Sequence, residues 1–246
     1  MKATRILVAS AAVLLATSSV ARAELILLQP NGTPAASIAA SFTDLGAQGF
    51  GAAPRMLTLQ DNTSETGSVT PIDVTHDGAV PGANKSTTPT LATLGWNAGN
   101  AVGVGFNSDQ SGGTGITMQS LILTIYNGTT ALGSFSLAAA LTPLTFTAAD
   151  LALQQGNGNA VFNFGLNAAE QVQFNAIVAM AGSSGFRAGL NSTLGCPTGS
   201  PAGCLVSNDG PDTFIGFRQN VPNVPDGGST MFLLGLGLLG LRKLRG

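Results

Sequence analysis

Apolar and polar positions alternate in short runs along most of this chain, the period of half-buried β-strands rather than of helices. Val102, Val104 and Phe106 alternate with Gly103, Gly105 and Asn107, giving one apolar face. Similar runs predict strands over residues 24–29, 55–60, 67–74, 118–126, 131–137, 160–166, 186–190 and 213–218. Pro30-Asn31-Gly32 ends the first of these, and Asp61-Asn62-Thr63-Ser64-Glu65 reads as a turn. Residues 76–93, rich in Gly, Pro, Ser and Thr, read as a long loop. Asn127-Gly128 separates two apolar runs and predicts a hairpin, because both residues tolerate positive φ. Four residues from Asn127 to Thr130 separate the runs, so a bulged or four-residue loop fits as well.

Two segments change period. Thr147-Ala148-Ala149-Asp150 opens a helix to about residue 154, with Thr147 as N-cap and Asp150 near the positive end of the helix dipole. Asn167-Ala168-Ala169-Glu170 opens a second, to about residue 181, along which Phe174, Ile177, Val178 and Ala181 recur at helical spacing. About nine short strands against two helices predict a mainly β domain, an antiparallel β-sandwich or jelly-roll-like fold with one or two short helices. No βαβα alternation supports a parallel sheet, and no fixed repeat stands out.

The two ends follow different patterns. Lys2 and Arg5, an apolar stretch over residues 6–16, and Ala21-Arg22-Ala23 form the three regions of a secretory signal peptide, so residues 1–23 read as a cleaved leader. At the other end, residues 221–246 read as a sorting and anchoring tail. Val224-Pro225-Asp226-Gly227-Gly228-Ser229-Thr230 precedes an uncharged run over residues 231–241 and a basic end, Arg242-Lys243-Leu244-Arg245. The 13 residues 229–241 would cover ~20 Å as a helix, against a hydrocarbon core of ~30 Å. Snorkelling by Arg242, Lys243 and Arg245 makes up part of that gap, and such a marginal membrane helix suits a temporary anchor. The basic cluster sets the C-terminus on the cytoplasmic side and the body outside.

On these residues the tail resembles the PEP-CTERM sorting signal of Gram-negative bacteria, with VPDGGST where the commonest motif reads VPEPST. Val224, Pro225, Ser229 and Thr230 match; Asp226 stands for the glutamate, and Gly227-Gly228 replaces the second proline. The resemblance covers roughly a tenth of the chain. It implies export through the general secretion machinery, a transient stay in the bacterial inner membrane, and processing by an exosortase-type membrane enzyme. The product would then reside at the cell surface or in the extracellular matrix.

With both ends set aside, residues 24–220 form a single ectodomain. It keeps four basic residues, Arg55, Lys85, Arg187 and Arg218, against eleven acids, a net charge near −7. Phosphate contacts by Lys and Arg dominate nucleic-acid affinity, so nucleic acid is excluded as a partner. Cys196 and Cys204 flank a Pro/Gly-rich turn in an exported chain and predict a disulfide.

Catalytic material is thin. His76 with Asp73 and Asp77 is the only local acid–base cluster, and a solvated loop explains it better. Around Ser207-Asn208-Asp209-Gly210-Pro211-Asp212, Asp209 and Asp212 are Ca²⁺ candidates, although an Asx-type turn explains the same residues. Trp96 and Tyr126 are candidate sugar-stacking aromatics, set against an ordinary core role. The reading is of a non-enzymatic exported surface protein, with an exopolysaccharide-binding module as the alternative.

Overall fold

The computed structural model describes residues 24–45, 53–77, 86–98, 101–110, 114–154, 160–208 and 210–219. The expected leader over residues 1–23 and the tail over residues 221–246 lie outside the described residues. Among the described residues, twelve strands form one sheet: β1 (Glu24–Leu27), β2 (Phe42–Asp44), β3 (Arg55–Leu59), β4 (Ser64–Val69), β5 (Val74–Asp77), β6 (Ala101–Asn107), β7 (Ile116–Asn127), β8 (Thr130–Leu137), β9 (Leu144–Phe146), β10 (Ala160–Leu166), β11 (Arg187–Gly195) and β12 (Asp212–Gln219). Three α-helices accompany them: α1 (Leu91–Leu94), α2 (Ala148–Leu151) and α3 (Ala168–Val178).

The sheet runs β3-β12-β6-β10-β1-β8-β7-β11-β4-β5, with β2 on β10 and β9 on β7. Its two ends curl round until β3 packs against β4 and β11. This corrects the expected sandwich or jelly roll: the domain is a single, nearly closed barrel-like sheet. It also corrects the expected all-antiparallel pairing. The first strand inserts between β10 and β8, antiparallel to the former and parallel to the latter. Along the free edge of β3, the Thr87 N–H donates to the Met56 carbonyl at 3.1 Å, and the Thr58 N–H donates to Ser86 Oγ at 3.1 Å.

Alternation decides which side chains face inward. Phe162, Phe106, Phe214 and Leu57 lie in register across β10, β6, β12 and β3, all fully buried. Leu123, Phe135, Leu190 and Val69 make the matching row on the other side. Each such side chain stabilises the fold by about 1.5–3 kcal/mol through its removal from water. The expected hairpin is present, with Gly128 and Thr129 as the turn, Gly128 at φ 56°, and a register shift at Ile125/Tyr126.

Both predicted helix starts are confirmed. Thr147 and Asp150 form a reciprocal capping box, and Asn167 accepts from the Ala169 and Glu170 N–H groups. The third helix, α1, falls within what reads from sequence as loop; Thr90 caps it and Gly95 ends it at φ 66°. α3 and the Trp96 segment plug one mouth of the barrel. Phe174 meets Trp96 edge-on at 6.3 Å between ring centroids, and Ile177 reaches Gly133 of β8. At the opposite mouth lie the N-terminal ends of β4 and β12 and the C-terminal ends of β3, β6 and β11.

Among the described residues, no helix is long and apolar enough to cross a membrane.

Candidate functional site

The last two residues of the segment 61–65, expected as a turn, open β4, and that shift places an acid in the interior. Ser64, Thr66 and Ser68 face outward, while Glu65, Gly67 and Val69 share the inward parity. Glu65 is therefore fully buried, 0 % exposed. Asp212 opens β12 opposite Leu59, on the same inward face, and is likewise 0 % exposed. The two carboxyls meet at the mouth opposite α3, across the seam where the ends of the sheet approach each other.

Two loops hold the pair. The C-terminal extension of β6 donates to Asp212 from the Asp109 N–H (3.0 Å to Oδ1) and the Gln110 amide (2.9 Å to Oδ2). Gln110 also accepts from the Asn208 N–H at 3.0 Å, linking this extension to the segment before β12. Ser207 donates to Glu65 Oε1 at 2.9 Å and lies 3.1 Å from the Asp61 carbonyl. Glu65 is also hydrogen-bonded to the Asp212 carboxyl and to the Asp61 backbone.

Burial and the neighbouring acid together drive the Glu65 carboxyl up to about 10, so it stays protonated at neutral pH. Burial also raises Asp212, against the pull of its hydrogen-bond donors. Glu65 holds its proton facing Asp212, since two close carboxyls cannot both ionise at low cost.

The predicted disulfide forms, Cys196–Cys204 with 5.8 Å between Cα atoms, and it belongs to this mouth. Closing so short a loop removes roughly 2–3 kcal/mol of unfolded-state freedom in the chain-entropy account. The bridge folds residues 196–204 back on themselves, so that Ser207 pairs with Thr63 at the head of β4. Gly195, at φ 75°, sits where a Cβ would collide with the Thr63 carbonyl, and only glycine allows that approach.

The other sequence candidates disperse. Asp209 lies outside the described residues, and among those described Asp212 meets Glu65. Asp212 is not an exposed loop ligand, because strand alternation turns it inward. Trp96 belongs to the core at 2 % exposure, donating its indole N–H to the Phe217 carbonyl at 2.9 Å. Its ring faces are taken up by packing, which corrects its reading as a stacking platform.

Tyr126 lies on the outward face, half-buried, its ring over Gly189. His76 is on β5 opposite Gly67, not in the loop expected for it; Asp73 belongs to the preceding turn, its N–H held by Thr70 Oγ1. Among the described residues, no three His, Cys, Asp or Glu side chains converge as a metal-binding group. Val224, Pro225, Asp226, Gly227, Gly228, Ser229 and Thr230 lie outside the described residues.

Sequence reasoning missed Glu65. The available signal was a lone acid sharing the parity of Gly67 and Val69, on a strand otherwise masked by Ser and Thr.

Residues 223–245 match the VPDSG-CTERM motif, a sorting tail of the PEP-CTERM kind. No curated protein and no solved structure matches the chain. The C-terminal signal points to an exported, cell-surface protein.

Proposed function

We propose that this chain is a non-enzymatic surface or extracellular-matrix protein, exported by the secretion machinery and processed at its tail by an exosortase-type membrane enzyme. The observation that carries this reading is the motif match over residues 223–245, with Val224-Pro225-Asp226-Gly227-Gly228 ahead of an uncharged run and a basic end. A disulfide that closes only in an oxidising compartment agrees with export. Mass spectrometry of the protein from strains with and without the sorting enzyme tests the reading. The mature species should begin at Glu24 and lack residues 231–246, whereas the enzyme-deficient strain should retain Gly246 in the membrane fraction. A chain ending at Gly246 in both strains would sink the processing claim.

One observation favours a second reading, a carbohydrate-binding surface. Tyr126 lays its ring over Gly189 on an outward face that also carries Thr124 and Ser134, whose hydroxyls are 2.9 Å apart. A flat aromatic beside hydroxyls suits a sugar ring, apolar on one face and polar at its rim. Tyr126→Ala should weaken binding to the host's exopolysaccharide roughly tenfold, about 1.4 kcal/mol. Unchanged retention on a polysaccharide column would remove this reading without touching the first.

A further inference from the structure

We infer that the α3 mouth of the barrel is the face that rests on an anionic phospholipid surface while the chain is held by its tail. This orientation rests on the anchored-tail reading above and adds to it which side of the domain meets the bilayer. Strand direction places the exit. β12 runs away from the seam mouth, with Asp212 opposite Leu59 and Gln219 opposite Ala101, so the chain leaves its last described strand at the end plugged by α3. Only residues 220–230 separate Gln219 from the uncharged run that starts at 231. Eleven residues reach at most ~40 Å, and roughly 18 Å as a random coil. So short a tether brings the plugged end to the bilayer first.

The surface found there is apolar where a soluble domain is ordinarily polar. α3 buries Glu170, Phe174 and Ile177 against the barrel. On its solvent side Ala169, Val172 and Ala176 recur at intervals of three and four residues, and Met180 continues the line just past the helix. Val172 is 69 % exposed and Met180 49 %. Gln173 is their polar neighbour, and no exposed position of α3 carries a charge. A surface helix normally sets charged residues opposite its buried stripe, and an uncovered apolar stripe there marks a contact surface. Ile72, 75 % exposed, stands in the turn between β4 and β5 at the same end.

Cations flank this face. Arg187 opens β11, bridges to Thr90 at the start of α1 and donates to the Thr88 carbonyl at 2.7 Å. Arg218 lies over Gly95 at the other end of α1. Both side chains are exposed, and Arg55 opens β3 at this end. Glu24 and Asp73 share it. At the seam mouth stand Asp44, Asp61, Asp109 and Asp150 besides the buried pair and, among the described residues, no Lys or Arg. The domain thus turns its more positive end toward the lipid headgroups and its acidic end away. An apolar stripe beside cations is what an interfacial helix presents to a membrane. The tether supplies a high effective concentration, so a contact weak by itself suffices.

The test is reconstitution of the full chain in vesicles with brominated acyl chains, made either of phosphatidylglycerol with phosphatidylcholine or of phosphatidylcholine alone. A bimane label is attached at Val172→Cys, at Met180→Cys as an independent second position, and at Val206→Cys near the seam mouth as the reference. In anionic vesicles the first two labels should be quenched roughly twofold and the reference not at all. Quenching should fall away in phosphatidylcholine alone and in about 0.5 M NaCl. Arg218→Gln should lower the ratio of docked to undocked chain about fivefold.

Flotation of the vesicles separates the two readings. A chain that floats with them but shows equal quenching at all three positions, or none, would overturn the docking face and leave the anchored tail standing. Quenching unchanged by salt, by neutral lipid and by Arg218→Gln would overturn the anionic surface as its occupant. Shielding of Val172→Cys only when the sorting enzyme is added would assign the face to that enzyme instead. A chain that does not float would remove the anchored tail and this orientation with it.

Discussion

Phe106→Ala is expected to cost about 3–5 kcal/mol of folding stability, the largest loss from any single apolar truncation in this chain. The ring is fully buried and sits at the centre of a four-ring chain: 4.9 Å from Phe214, 5.1 Å from Phe146, which in turn lies 5.0 Å from Phe162. Three of the four side chains stand in register across β10, β6 and β12, so the barrel's own ladder fixes their positions. Backbone hydrogen bonds on both sides of β6 oppose collapse around the vacancy, which keeps the cavity term near the upper end of its range. The Phe106 carbonyl additionally accepts from the Gln154 amide at 2.8 Å, anchoring the segment after α2 to this strand.

Denaturant unfolding checks the estimate: the midpoint should fall sharply at an unchanged slope. Val172→Ala, on the 69 %-exposed outer side of α3, should shift stability by no more than about 0.5 kcal/mol. Similar losses in the two variants would mean that the aromatic chain is not the centre of the core.

The aromatic centre was legible because β6, β10 and β12 carry plain apolar runs bounded by polar residues. Strand β10 was read to the residue, and the capped starts of α2 and α3 were visible as Thr147-Ala148-Ala149-Asp150 and Asn167-Ala168-Ala169-Glu170. Elements of three or four residues, such as β2, β9 and α1, are too short to establish any period. Strand β4 failed for a different reason: its inward positions are Glu65, Gly67 and Val69, and only the last looks like core. Closure of the sheet was also hidden. It depends on β1 inserting between β8 and β10, which come much later in the chain, and local alternation carries no information about partner choice. The acid pair combines both difficulties, since one partner lies on the misread strand and the other read as part of a polar turn.

Stability of the protein should fall as pH rises, with a slope approaching about 1.4 kcal/mol per pH unit from this pair. The sign follows from proton counting. An unfolded Glu65 releases its proton near its ordinary value of 4.5, whereas in the folded chain it holds that proton up to about 10. Between those limits the native state binds one proton more than the unfolded state, so raising the pH favours unfolding. Below about 4.5 both states are protonated at this position and its contribution is flat.

This is opposite to the behaviour of a surface carboxylate paired with a cation, which is lost in acid. Glu65→Gln separates the two cases, because the amide mimics the protonated acid, donates to Asp212 and has no proton to lose. Between about pH 5.5 and 8.5, the parent's denaturant midpoint should drop steadily while the variant's stays level. The variant should be the more stable of the two at the alkaline end. Parallel profiles would show that the proton lies elsewhere and that Glu65 enters the fold as an ionised group. The cross-seam tie between β4 and β12 would then need another origin.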